Sequence, residues 1–152
     1  MELILWRHAD AEEGDPDLLR ELTPLGRKQA GHVADWLNVR LPEDCRILCS
    51  PATRTQQTAD TLERDYEVDP ALGPGAHPGA VLRVTGWPAA GGAVLVVGHQ
   101  PTLGRLAARL LVGREHDLDI PRGAVWWLEQ PDPAVPYGLC LKAVVTPAMT
   151  LK

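Results

Sequence analysis

The chain has no phenylalanine and only 5% aromatic residues, so Leu, Val and Ala must fill most of its core around five tryptophans. Its three cysteines, Cys45, Cys49 and Cys140, are an odd number without CxxC spacing, which argues against a disulfide framework or zinc site and predicts buried, reduced thiols. No apolar run approaches the ~20 residues of a membrane-spanning helix, and the stretch from Met1 to Arg7 is too short for a secretory leader. A cytoplasmic protein without a membrane partner is therefore expected. An excess of positive charge is missing too: the formal charge of −5 excludes the electrostatic footprint of a nucleic-acid binder, although a local arginine cluster could still hold one phosphate.

What remains is an ordinary globular composition, 45% apolar and 23% charged in 152 residues, consistent with a single domain spanning residues 1–152. Short apolar runs at residues 3–6, 47–49 and 94–97 read as buried strands, each followed by a helix-start signal. Thr23-Pro24, Ser50-Pro51 and Gln100-Pro101 each place proline at the predicted first helical position, and Thr23 and Ser50 offer hydroxyl caps. Helical spacing joins Ala30, Val33, Ala34 and Leu37, and again Leu103, Leu106, Ala107, Leu110 and Leu111. A second helix over 51–64 carries only a thin apolar stripe and has Arg54 in its first turn. Residues 66–92, rich in Pro and Gly, predict a loop-built excursion with a short helix at 80–85. Residues 124–128 and 139–145 read as two strands joined by the turn-rich PDPAVPYG. The pattern predicts a three-layer α/β/α sandwich, with a mostly parallel central sheet and an antiparallel C-terminal strand pair.

Ligands in open α/β sheets bind beyond the carboxyl ends of the strands. There the chain places Arg7-His8, Ser50 to Arg54, and Gly98-His99. Arg7 and Arg54 suit a phosphoryl group, because a guanidinium fork donates charge-assisted hydrogen bonds to its oxygens. An imidazole kept neutral by neighbouring cations can attack phosphorus in line, a role for His8, and a protonated second imidazole, His99, can donate to a phosphoryl oxygen. Alone, His8 reads as a hydrogen-bonded strand-end residue and Ser50 as a helix cap, but Arg54 opposes its helix dipole and calls for an anion nearby. Asp10, Glu12 and Glu13 read as a solvated acidic loop, His32 and His116 as incidental surface, and Trp6, Trp126 and Trp127 as sheet-face residues rather than base-stacking ones.

The strings LILWRHADAE, LTPLGRKQA, SPATRTQQTA and VVGHQPTLG resemble, in that order, the motifs of the histidine-phosphatase superfamily in the branch that includes the phosphoglycerate mutases. The resemblance is closest to SixA-type phosphohistidine phosphatases, which are similarly short and end in a comparable TPAM-like segment. It implies His8 as nucleophile, Arg7, Arg54 and His99 around the phosphate, and neither metal nor cofactor. Two departures stand out. Ala9 replaces the Gly of the RHG-type motif, which bears on the turn after the nucleophile. The middle loop GPGAHPGAV lacks the carboxylate that protonates the leaving oxygen in mutase-like relatives, so His77 is its only titratable group, either a general acid or a solvent-facing residue.

That missing acid bears on the substrate. A phosphorylated imidazole already protonated at its other nitrogen leaves as a neutral ring and needs less acid assistance than an alkoxide. A short middle loop also leaves little material for a lid. The expected partner is accordingly a phosphohistidine-bearing protein domain, hydrolysed in two metal-free steps. A small phosphorylated metabolite such as a sugar phosphate, or a regulatory module that binds phosphate without turnover, are the alternatives.

Overall fold

The computed structural model describes residues 1–135 and 138–151. Strands β1 (Glu2–Arg7), β2 (Arg46–Cys49), β3 (Glu67–Val68), β4 (Ala93–Gly98), β5 (Val125–Glu129) and β6 (Cys140–Val145) form one sheet in the order β3-β2-β4-β1-β5-β6. The first four run parallel, while β5 pairs antiparallel with β1, and β6 with β5. Strand alternation sends Ile4, Trp6, Leu95 and Val97 to the face covered by helix α1 (Pro24–Asn38) and helix α2 (Thr53–Asp60). Leu3, Leu5, Val94 and Val96 pack on the other face with helix α3 (Pro78–Thr85) and helix α4 (Thr102–Val112). The expected three-layer sandwich with its antiparallel pair is present. No helix among the described residues is long and apolar enough to cross a membrane.

The differences are local. Of the three proline starts read from the sequence, only Pro24 stands at the first helical position, in α1, where Thr23 accepts from the Gly26 amide at 2.9 Å. Pro51 precedes α2, and Pro101 is the cap residue of α4, whose open amide at Gly104 is instead bonded by Gln100 Oε1 at 2.7 Å. Helix α2 ends at Asp60, well short of residue 64, because the chain tightens into a turn and Glu63 turns left-handed. Leu110 and Leu111 are only partly buried. Of the thiols expected to be buried, only Cys49 is; Cys45 is half-buried, and Cys140 is exposed because it opens edge strand β6. The link between β5 and β6 includes residues 136 and 137, which lie outside the described range.

Two close approaches hold the carboxyl edge of the sheet together. Helix α1 starts so near the chain after β1 that a Cβ on Gly26 would overlap the Asp10 carbonyl oxygen, and the Thr23 amide donates to that same oxygen at 3.0 Å. The LTPLG motif is thus a docking device for the segment after His8. Gly26→Ala is expected to destabilise the protein by about 2 kcal/mol in urea unfolding. Gly31→Ala in the same helix has open space at its Cβ and should be neutral or stabilising, so equal effects of the two would contradict this packing.

Candidate active site

Three parallel strands deliver their ends to one edge: β1 brings Arg7 and His8, β2 brings Ser50, and β4 brings His99. Arg54 comes from the first turn of α2. Because β5 is antiparallel, with Val125 opposite Trp6, its beginning also lies there, and the loop ahead of it reaches the same edge. A cavity of about 180 Å³ opens at this point, lined by Arg7, His8, Arg54 and His99 together with Arg20, Pro74, Gln100 and Arg122. The four residues expected to meet an anion are therefore neighbours.

The His8 ring is buried, and its Nδ1 lies 2.8 Å from the Ala9 carbonyl oxygen. A carbonyl only accepts, so Nδ1 carries the proton and Nε2 carries the lone pair. Among the described residues nothing hydrogen-bonds Nε2, and it is not a fully buried atom. Burial, reinforced by the charges of Arg54, Arg7 and Arg20, pushes the His8 pKa down to about 4 against the opposing pull of the Ala9 bond. Ala9 itself is fully buried, its amide donates to Thr58 Oγ1 at 3.2 Å, and its φ is negative, since Glu63 is the only described non-glycine residue with positive φ. The turn after His8 thus needs no glycine at this position.

The His99 ring lies 5.4 Å from that of His8, centroid to centroid. Arg54 Nη2 donates toward its Nδ1 at 3.4 Å, which leaves Nε2–H to donate to Ser50 Oγ at 2.7 Å. Ser50 Oγ also accepts from the Ala52 amide at 3.2 Å. Ser50 is therefore the orienter of His99 as well as a backbone cap. Burial first, then His8 and Arg54, push the His99 pKa down to about 3, so both rings are uncharged at neutral pH.

The guanidinium groups are held from behind. Arg7 Nη1 donates to the Ile120 carbonyl at 2.9 Å, and burial followed by the charge of Arg122 lowers its pKa. Arg54 is almost fully buried, with Nη1 on the Asp17 carbonyl at 2.9 Å and Nη2 on Asp17 Oδ2 at 3.1 Å. The anion that a cation in the first turn of α2 calls for is thus partly supplied by Asp17, whose pKa is lowered by its bonds to Arg20 and Arg54. The Nε atoms of Arg7 and Arg54 are buried without an acceptor, so each guanidinium keeps one donor unpaired inside the fold.

Residues 3–75 match the model of the histidine phosphatase superfamily (branch 1). Over 124 residues the chain is 33% identical to the phosphohistidine phosphatase SixA of Escherichia coli strain K12, covering 74% of this chain and 76% of that protein. The chain belongs to the histidine phosphatase superfamily. It is also 36% identical over 120 residues to an uncharacterized protein of Mycobacterium tuberculosis strain H37Rv, and there spans about two thirds (66%) of the relative's length. A solved structure of the protein histidine phosphatase SixA, complexed with tungstate, superposes with a TM-score of 0.82 at 27% identity, covering 97% of this chain and 98% of that one.

Within this histidine-phosphatase fold His77 stands just ahead of α3 without a side-chain cap bond, is exposed, and is not among the residues lining the cavity. Glu12 and Glu13 are exposed as expected, as are His32 and His116, while Asp10 is half-buried and paired with Arg122. Sequence reasoning missed Asp17, Arg20, Gln100 and Arg122. Arg122 had a topological signal, since an antiparallel strand brings its start, here IPRG, to the edge where parallel strands end, whereas Asp17 and Arg20 arrive through a fold-back of the segment after His8, closed by an Ala11–Leu22 bridge.

The two depressed imidazoles make stability depend on pH. In the unfolded chain they bind protons near pH 6.5, in the folded protein only near 4 and 3. The unfolded state therefore holds more protons below about pH 6.5, and stability present above that pH is lost as the pH falls toward 4, at up to about 1.4 kcal/mol per pH unit for each ring. Urea unfolding between pH 7 and 4.5 should show this loss, and His99→Gln should reduce its slope. An unchanged slope would mean that His99 is not held neutral.

Proposed function

We propose that this protein is a phosphatase that removes phosphate from phosphohistidine on a protein, with His8 as the covalent nucleophile. The observation that carries the reading is the tautomer of His8, whose Nδ1 bond to Ala9 leaves the Nε2 lone pair available in a cavity lined by arginines. Arg7 and Arg54, both lining the cavity, bind the phosphoryl oxygens through their guanidinium groups. The Nε2 lone pair attacks phosphorus; the new N–P bond forms as the N–P bond of the substrate breaks, and the departing imidazole keeps the electron pair. Since that imidazole is protonated at its other nitrogen, it leaves as a neutral ring, and the reaction needs no carboxylic acid from the middle loop.

Water then attacks the phosphorylated His8, the N–P bond breaks toward Nε2, and phosphate is released. The dianion raises the proton affinity of His99; when Nδ1 takes up a proton from solvent its bond from Arg54 is given up, and Nδ1–H and Arg54 both donate to a phosphoryl oxygen while Ser50 keeps the ring in place. Asp17, held on Arg54, is exposed and gives way to the substrate at that guanidinium. The tungstate complex of a SixA supports the reading, since tungstate is itself a tetrahedral oxyanion.

Brief incubation with a phosphohistidine peptide, followed by alkaline quench, should reveal acid-labile phosphate on wild-type His8. His8→Ala should carry no label and turn over more than about 10³-fold more slowly. Equal labelling or turnover in the variant would remove the nucleophile. Faster turnover of sugar phosphates than of the peptide would move the substrate to small phosphoesters, and labelling without release would make the protein a phosphate-binding module.

A further inference from the structure

The residues assigned to phosphoryl transfer leave a cation of the cavity without a role. Arg122 belongs to the loop before β5, a segment that the parallel-strand logic of the site does not reach. Its side chain is 51% exposed, against 5% for Arg54, so it stands at the outer rim of the same cavity. Nη1 donates to Asp10 Oδ1 at 3.0 Å, and Asp10 is itself tethered, its Oδ2 accepting from Thr23 Oγ1 at 2.8 Å. Among the described residues Asp10 is the one hydrogen-bond partner of this guanidinium, so most of its five N–H donors remain free.

A structural bridge does not account for this placement. Exposed ion pairs contribute little to stability. Arg122 and Arg7 line the same cavity, and Arg122 is the charge that most depresses the pKa of Arg7, ahead of Arg54 and opposed in part by Asp119. Such crowding is relieved by an anion that both can reach. The cavity of about 180 Å³ has room for roughly six water molecules at ~30 Å³ each, more than the four oxygens of one phosphate occupy.

We propose that Arg122 is a specificity-determining residue that binds a second anionic group, a carboxylate or a phosphate, adjacent to the phosphoryl group that is transferred. Asp10 orients the guanidinium without satisfying it, and the forked donors face a substrate that carries two negative groups side by side. The proposal rests on the reading that the cavity takes a phosphoryl group, and it does not require turnover.

Binding of orthophosphate and pyrophosphate to the full chain, measured by calorimetry in about 0.5 M NaCl to screen long-range charge, tests it directly. Wild type should prefer pyrophosphate. Arg122→Gln should weaken pyrophosphate about tenfold while orthophosphate changes less than about twofold, and Arg122→Lys should retain part of the preference. The unchanged orthophosphate affinity serves as the check that the variant keeps its site. Equal loss for both anions, or no loss for either, overturns the proposal. Phosphohistidine peptides with Glu or Gln beside the modified residue identify the source of the second anion. A Glu preference abolished by Arg122→Gln supports a protein carboxylate, and an effect confined to pyrophosphate supports a second phosphate. Because pyrophosphate binding is read without chemistry, an absence of phosphoenzyme would sink the nucleophile and leave this result standing.

Discussion

The hydrogen bond from His8 Nδ1 to the Ala9 carbonyl is the constraint on which the site depends, because it decides which ring nitrogen holds a lone pair. The fold surrounds that short turn with supports. Thr58 of α2 accepts the Ala9 amide, Gly123 donates to the His8 carbonyl at 3.0 Å, and Thr23 at the start of α1 donates to the Asp10 carbonyl. Gly123 has φ +77 and would press a Cβ onto Pro147, while Gly26 lets α1 approach Asp10. Two helices and the loop before β5 thus each hold a piece of the four residues from Arg7 to Asp10.

Around this turn the electrostatics are a compromise between repulsion and readiness. Two buried imidazoles remain neutral, since a protonated ring would lose its solvation while standing among guanidinium groups. The arginines are steadied by internal acceptors: Ile120 for Arg7, Asp17 for Arg54 and Arg20, and Asp10 for Arg122. Asp17 and Asp10 both lie on the segment that follows His8, so one loop supplies the carboxylates that keep the cations in place.

Much of this was legible in the chain. The apolar runs ending in RH, CS and GH marked the ends of β1, β2 and β4, and alternation within each run placed the two cores. Arg7, His8, Arg54 and His99 followed from those ends, because a parallel sheet brings them to one edge. Helix starts were less legible: Pro51 and Pro101 have the form of a first helical residue, yet side-chain bonds from Ser50 and Gln100 hold the backbone at those starts. The rim was hidden for another reason. Arg20 and Arg122 reach the cavity, and Asp17 reaches Arg54, through a folded-back loop and an antiparallel strand, contacts that no local pattern encodes. Ala9 read as a departure from its motif, but its backbone lies outside the left-handed region, where alanine is as acceptable as glycine.

The central claim is that His8 presents an unprotonated Nε2 in the free protein. Long-range ¹H–¹⁵N correlation spectra of the histidine rings at pH 7, with His8 assigned by comparison with a His8→Gln variant, measure this directly. One ring with a protonated Nδ1 and a bare Nε2, unchanged down to about pH 5, is the expected result. A His8 ring that is protonated at Nε2, or doubly protonated at neutral pH, would contradict it.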